Sequence, residues 1–159
     1  MSATPQAWRA RRWCFRDIAG MPLTSESLRI LSFSELEATL HGHNAIGTQH
    51  VLLSLIESDD GLTLAALART GVLLPKLCAL LTVGDYRTSA SAGIVLGPDA
   101  AAMLAAAGKL AAERGDECII PRDLLYAVLS TPGMAVRRLA DAGVDPDALR
   151  EHAARILAG

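Results

Sequence analysis

The sequence predicts an all-α fold: two tandem four-helix repeats, related by a pseudo-twofold and packed into one globular domain. Three observations carry this. The 159 residues are 51% hydrophobic and 20% charged but only 4% aromatic, a composition that suits close-packed helices and not a β-sandwich. The stretch Gly42-His43-Asn44-Ala45-Ile46-Gly47-Thr48-Gln49-His50-Val51-Leu52-Leu53 reads as helix, short polar turn, helix. Gly42 can enter the left-handed region, and Thr48 can offer its hydroxyl to the free N–H groups of the helix that follows. From Gly115 to Leu129, 73 residues further along, glycine, isoleucine and an apolar helix recur in the same register. One unit has been used twice.

Residues 1–20 form a basic and aromatic arm in which Arg9, Arg11, Arg12 and Arg16 alternate with Trp8, Trp13 and Phe15. It is expected to be a loosely ordered tail, or one that packs its tryptophans on the domain. The remainder, residues 21–157, divides into repeat one (21–82), a linker (83–95) and repeat two (96–157). In repeat one Thr24 caps a helix running to about His41, with Glu26 in its first turn. The apolar residues Leu28, Ile30, Leu31, Phe33, Leu36 and Leu40 spread wider than one stripe, which predicts a helix packed on more than one side. A short apolar helix spans Gln49 to Glu57 with Leu53 outside its main stripe. A third runs from about Leu62 to Thr70 before Gly71, and a fourth from Pro75 to about Thr82.

The linker, rich in glycine, serine and alanine, has no apolar period. Repeat two enters its first helix through Leu96-Gly97-Pro98-Asp99 and places Met103, Leu104, Ala107, Leu110 and Ala111 on one face. Pro121 stands where Thr48 does, so its second helix opens on a proline with Asp123 in the first turn. Thr131-Pro132-Gly133 leads to a third helix ending at Gly143. Asp145 caps the fourth, which carries Leu149, Ala153, Ile156 and Leu157. With 13 residues between them, the repeats can lie side by side and bury their second helices against each other.

The chemistry is that of a non-enzyme. Gly108-Lys109 lacks the flanking residues of a phosphate-binding loop, no Gly-x-Ser-x-Gly is present, and Ser54 lies mid-helix among leucines. Cys14, Cys78 and Cys118 are odd in number and widely spaced, so neither a disulfide scaffold nor a zinc site is expected, and apolar packing is the reading for the latter two. His41, His43 and His50 are assigned capping and packing roles in place of a metal site. No cofactor and no metal are expected. A formal net charge of −2 leaves only the arm as a basic patch, which argues against nucleic acid. No stretch of about 18 apolar residues spans a membrane and the arm lacks a secretory pattern. A cytoplasmic setting follows.

The motif Gly-His-Asn-x-Ile-Gly-Thr-Gln-His-Val-Leu-Leu, beginning at Gly42, resembles the repeat signature in the amino-terminal domain of the Clp-type protein unfoldases, the ClpC and ClpA branch. The resemblance covers roughly Met21 to Leu157 and implies a domain of two such repeats. It further implies recruitment of a protein or peptide ligand, whether adaptor, substrate or the unfoldase itself. In the ClpC branch each repeat can hold a phosphorylated arginine, using a threonine at the first helix start and a glutamate after the Gly-Thr pair. Thr24 matches the first threonine. Gln49 and Arg122 occupy the two glutamate positions, and Gly97 stands where the second threonine would be. A neutral amide makes weaker bonds to a guanidinium than a carboxylate does, and an arginine repels it. Phosphoarginine binding is therefore not expected at repeat two. The alternative for Gln49 and Arg122 is that both are exposed first-turn residues. The competing function, from a different class, is sequestration of cyclic peptides that otherwise dock on an unfoldase.

Overall fold

Thr24 begins the first long helix of the computed structural model, which describes residues 15–58, 61–83 and 94–159. Its Oγ1 accepts from the Ser27 N–H at 3.2 Å, satisfying a donor that has no partner within the helix. Helix α1 (Ser25–Leu40) stops ahead of Gly42, whose φ of 71° is left-handed and costs glycine nothing. Helices α2 (Thr48–Glu57), α3 (Leu62–Ala68) and α4 (Leu74–Thr82) follow. The second half supplies α5 (Pro98–Glu113), α6 (Pro121–Ser130), α7 (Met134–Asp141) and α8 (Pro146–Ala158). Three of these four open on proline, whose missing N–H would have no helical partner there.

Two short parallel pairings, absent from the sequence reading, tie the halves together. Strand β1 (Ala45–Ile46) pairs with β2 (Val95–Leu96), and Leu23 bridges Ile119. Strands of two residues leave the class all-α. Their arrangement is reciprocal: the Gly97 N–H donates to the Ile46 carbonyl at 2.8 Å, and the Thr24 N–H to the Ile119 carbonyl at 3.0 Å. Gly97 lies 73 residues after Thr24, and Ile119 lies 73 after Ile46. Each half therefore starts against the turn of the other.

Packing repeats the exchange. Helices α2 and α6 meet at the centre, where Leu52, Leu55, Leu124, Leu125 and Val128 are fully buried, each contributing about 1.5–3 kcal/mol on removal from water. Leu53, placed off the main stripe by the sequence, is buried too, because α2 is covered on every side. Helix α4 packs on α7 of the other half, and α8 packs on α3.

Three expectations need correction. Phe33, Leu36 and Leu40 do not pack on a second neighbour: they are 50%, 49% and 67% exposed, so α1 buries one side and carries apolar residues on the other. Thr48 is not the cap of its own helix; Gly47 holds that position, and the hydroxyl is used elsewhere, as described below. The context of Cys78 is not purely apolar, since Glu57 and Glu37 raise its pKa further after burial has done so. The predicted arm is described only in part. Residues 15–19 are helical, with Phe15 and Ala19 buried, and the Ala19 carbonyl approaches Gly108 so closely that any Cβ there would collide with it. Residues 1–14 and the linker residues 84–93 lie outside the described residues, and with them the reading of a loose, arginine- and tryptophan-rich tail.

Candidate functional site

The starts of α2 and α6 are built alike from different chemistry. In α2, His50 turns back so that its Nδ1 accepts the Gly47 N–H at 2.9 Å. A neutral His50 then carries its proton on Nε2 and donates it to Nδ1 of His43, 2.6 Å away. Burial, aided by the neighbouring His43 and His41 and opposed by Asp99, lowers the His50 pKa to about 4. In α6, Asp123 replaces the imidazole: its Oδ2 accepts the Ile120 N–H at 3.0 Å, and both its oxygens are gripped by the Arg114 guanidinium. His50 thus caps α2 and His43 packs against it, while His41 is exposed and stands 3.3 Å from Glu37. Among the described residues no group of three or more His, Cys, Asp or Glu is placed to hold a metal ion.

The next layer distinguishes the halves. Asp99, in the first turn of α5, sends its Oδ2 to the start of α2, accepting from the Thr48 hydroxyl at 2.9 Å and the Thr48 N–H at 3.3 Å. The same oxygen accepts the Met134 N–H at 3.2 Å, and the Thr48 Oγ1 accepts the Ala135 N–H at 3.0 Å. One carboxylate thereby meets the positive ends of three helices, α2, α5 and α7, where backbone N–H groups favour an anion. Gly133 makes the approach possible, since a Cβ there would stand 2.6 Å from Asp99 Oδ2 and 2.8 Å from Thr48 Oγ1. This clasp closes α7 onto α2.

Among the described residues the other half has no equivalent. Pro121 stands in the Thr48 position and offers neither an N–H nor a hydroxyl, so Glu26, the counterpart of Asp99, has nothing there to bind. Among the described residues α3 does not pack on α6 as α7 packs on α2. What opens instead is a groove of about 590 Å³ lined by Glu26, Arg29, Ile30 and Phe33 of α1, Glu57 and Ser58 at the end of α2, and Pro121.

The four predicted site residues fall into two pairs, each drawn from both repeats. The Thr24 N–H bonds to Ile119, which brings the start of α1 beside the turn before Arg122. Both residues are half-buried, and Glu26 and Pro121, near them in sequence, line the groove. Gly97 bonds to Ile46, beside Gln49. A Cβ at Gly97 would lie 2.9 Å from the Ile46 oxygen, so the threonine of the family pattern has no room there. The alternative that Gln49 is an exposed first-turn residue is overturned: it is wholly buried, and among the described residues neither end of its amide finds a partner. Sequence reading missed Asp99, Glu57, Phe33 and Pro121 as site-forming. Only the Thr48-to-Pro121 exchange gave a signal, and it was read as a change of cap.

Fold, exchanged pairings and groove define an all-α, double-repeat domain with a groove open at its surface. The profile of the Clp repeat (R) N-terminal domain family matches residues 23–132. The chain belongs to that family, whose domains are non-catalytic accessory modules. It is 27% identical over 139 residues to the chaperone protein ClpB of Oceanobacillus iheyensis, covering 84% of this chain and 17% of that protein. Against chloroplastic ClpC2 of Arabidopsis thaliana it is 27% identical over 137 residues, covering 84% and 14%. The chain thus spans less than a fifth of these relatives. Among solved structures, the N-terminal domain of ClpD from Arabidopsis thaliana superposes with a TM-score of 0.65 at 23% identity, covering 85% of this chain and 96% of that one. The Hsp104 N-terminal domain from Candida albicans gives 0.73 at 15% identity, covering 85% and 91%. No helix among the described residues is long and apolar enough to cross a membrane.

Proposed function

We propose that the domain is a protein- and peptide-binding module that recruits an adaptor, a substrate or the unfoldase itself to Clp-type unfolding. The observation that carries this reading is the open groove beside Pro121, with Ile30 and the half-exposed Phe33 in its wall. Apolar side chains held open in a concave site are those a ligand would cover. Immobilised chain, passed over a cell lysate, should retain an unfoldase, a protease subunit or one of their adaptors, and Phe33→Glu should abolish retention. Retention unaffected by Phe33→Glu would remove the groove from the account.

The same apolar wall favours one second reading, capture of an apolar cyclic peptide that would otherwise reach an unfoldase. Thermal stabilisation of the chain by such a peptide, with no protein partner retained, selects it. Free phosphoarginine does not fit either pair of predicted residues. Arg122 repels the guanidinium beside Thr24, and at the Gln49 side Asp99 already holds the helix ends an anion would use.

A further inference from the structure

The groove specifies a ligand chemistry, an inference that rests on the peptide-binding reading above. Its wall does not end at Phe33. Leu36 and Leu40 follow at helical spacing on the same side of α1, both exposed, so an apolar ridge runs about 15 Å from Ile30 to Leu40 at 1.5 Å per residue. Carboxylates border it. Glu26 and Glu57 line the groove, and Glu37, one turn beyond Phe33, is hydrogen-bonded to Glu57. Partial burial raises the Glu57 pKa, and the hydrogen bond and charge of Glu37 raise it further. Arg29 also lines the groove, and the His41 ring stands 3.3 Å from Glu37.

We infer that this face binds a partner segment presenting large apolar side chains to Ile30, Phe33, Leu36 and Leu40 and a lysine or arginine to Glu37 and Glu57. A cation entering beside the two carboxyls can donate charge-assisted hydrogen bonds to both. The apolar ridge supplies the area removed from water. An acidic segment would instead meet three carboxylates, so charge decides which apolar segments are taken.

The test uses the full chain and three dye-labelled synthetic peptides in fluorescence anisotropy: alternating leucine and arginine, leucine and glutamine, and leucine and glutamate. The arginine peptide should bind best and the glutamate peptide least. Affinity for the arginine peptide should fall about tenfold or more in Glu37→Gln/Glu57→Gln and again in Leu36→Ser, and it should weaken as salt rises. Leu36 and Glu57 are exposed and Glu37→Gln keeps the side chain's shape, and an unchanged circular dichroism spectrum checks that each variant folds. Equal binding of all three peptides, insensitive to the carboxyl variants, overturns the charge preference and leaves peptide binding standing. Failure of every peptide, while a lysate partner is still retained, overturns the assignment of this face. Concentration-dependent dimerisation in sedimentation, lost in Leu36→Ser, overturns it in favour of a second copy. Absence of both peptide binding and a retained partner removes the functional reading as well.

Discussion

His50 and Asp123 make the same hydrogen bond in the two halves of the domain, accepting from the backbone N–H of Gly47 at 2.9 Å and of Ile120 at 3.0 Å. One does so as a neutral imidazole, the other as an ion-paired carboxylate. The bond survives the exchange because an N–H three residues back needs only an acceptor. What differs is the response to acid.

A protonated His50 would point a second N–H at Gly47, so the folded chain refuses the proton until about pH 4. The unfolded chain accepts it near the ordinary imidazole value of about 6.5. Between those values the unfolded state binds more protons, and stability rises with pH. Urea denaturation should show full stability above about pH 6.5 and a loss of up to about 3 kcal/mol on approaching pH 4, at about 1.4 kcal/mol per pH unit. A flat profile across that window contradicts the neutral histidine pair.

Asp99→Ala should cost about 3 kcal/mol, because the Thr48 and Met134 donors lose a charged acceptor at buried helix ends. Glu26→Ala, its counterpart across the 73-residue offset, should change stability by less than about 0.5 kcal/mol, since Pro121 gives Glu26 nothing to hold. Denaturation midpoints of the two variants test the inequality of the halves. Equal costs contradict it.

Gly108→Ala tests whether residues 15–19 belong to the domain. By helix propensity alone the change should stabilise α5 by about 1 kcal/mol. The Ala19 carbonyl occupies the space the new methyl needs, so the net effect should be a loss of about 1–3 kcal/mol, with faster hydrogen exchange at Ile18 to Gly20. A stabilising result means these residues can leave at no cost.

Free phosphoarginine should give no saturable heat in titration calorimetry. Arg122→Glu restores a carboxylate beside Thr24 and should create one weak site, with Gln49 unchanged. Two equal sites in the unaltered chain contradict the pairing of Thr24 with Arg122.

All eight described helices of seven residues or more were legible because glycine and proline punctuate them: Gly42, Gly71, Gly115 and Gly143 all sit at positive φ just past a helix, and three prolines sit at first helical positions. These are local signals, and local signals survive in sequence. The clasp was not legible. It joins Thr48 to Asp99 across 51 residues and Asp99 to Met134 across 35, and nothing local in an aspartate says whose N–H groups it will meet. Phe33 was misplaced for a related reason. Periodicity shows which side of a helix is apolar, but not whether a neighbouring element covers that side. Gln49 shows the same limit, being polar, near a helix start and yet wholly buried.

The central claim is that one half is held shut by Asp99 while the other stands open beside Pro121. Backbone amide chemical-shift mapping during titration with the leucine-arginine peptide tests it most directly. The account predicts one peptide per chain, with shifts at Glu26, Ile30, Phe33 and Glu57 and none at Thr48, Asp99 or Gly133. Two peptides per chain, or shifts centred on Thr48 and Asp99, would contradict it.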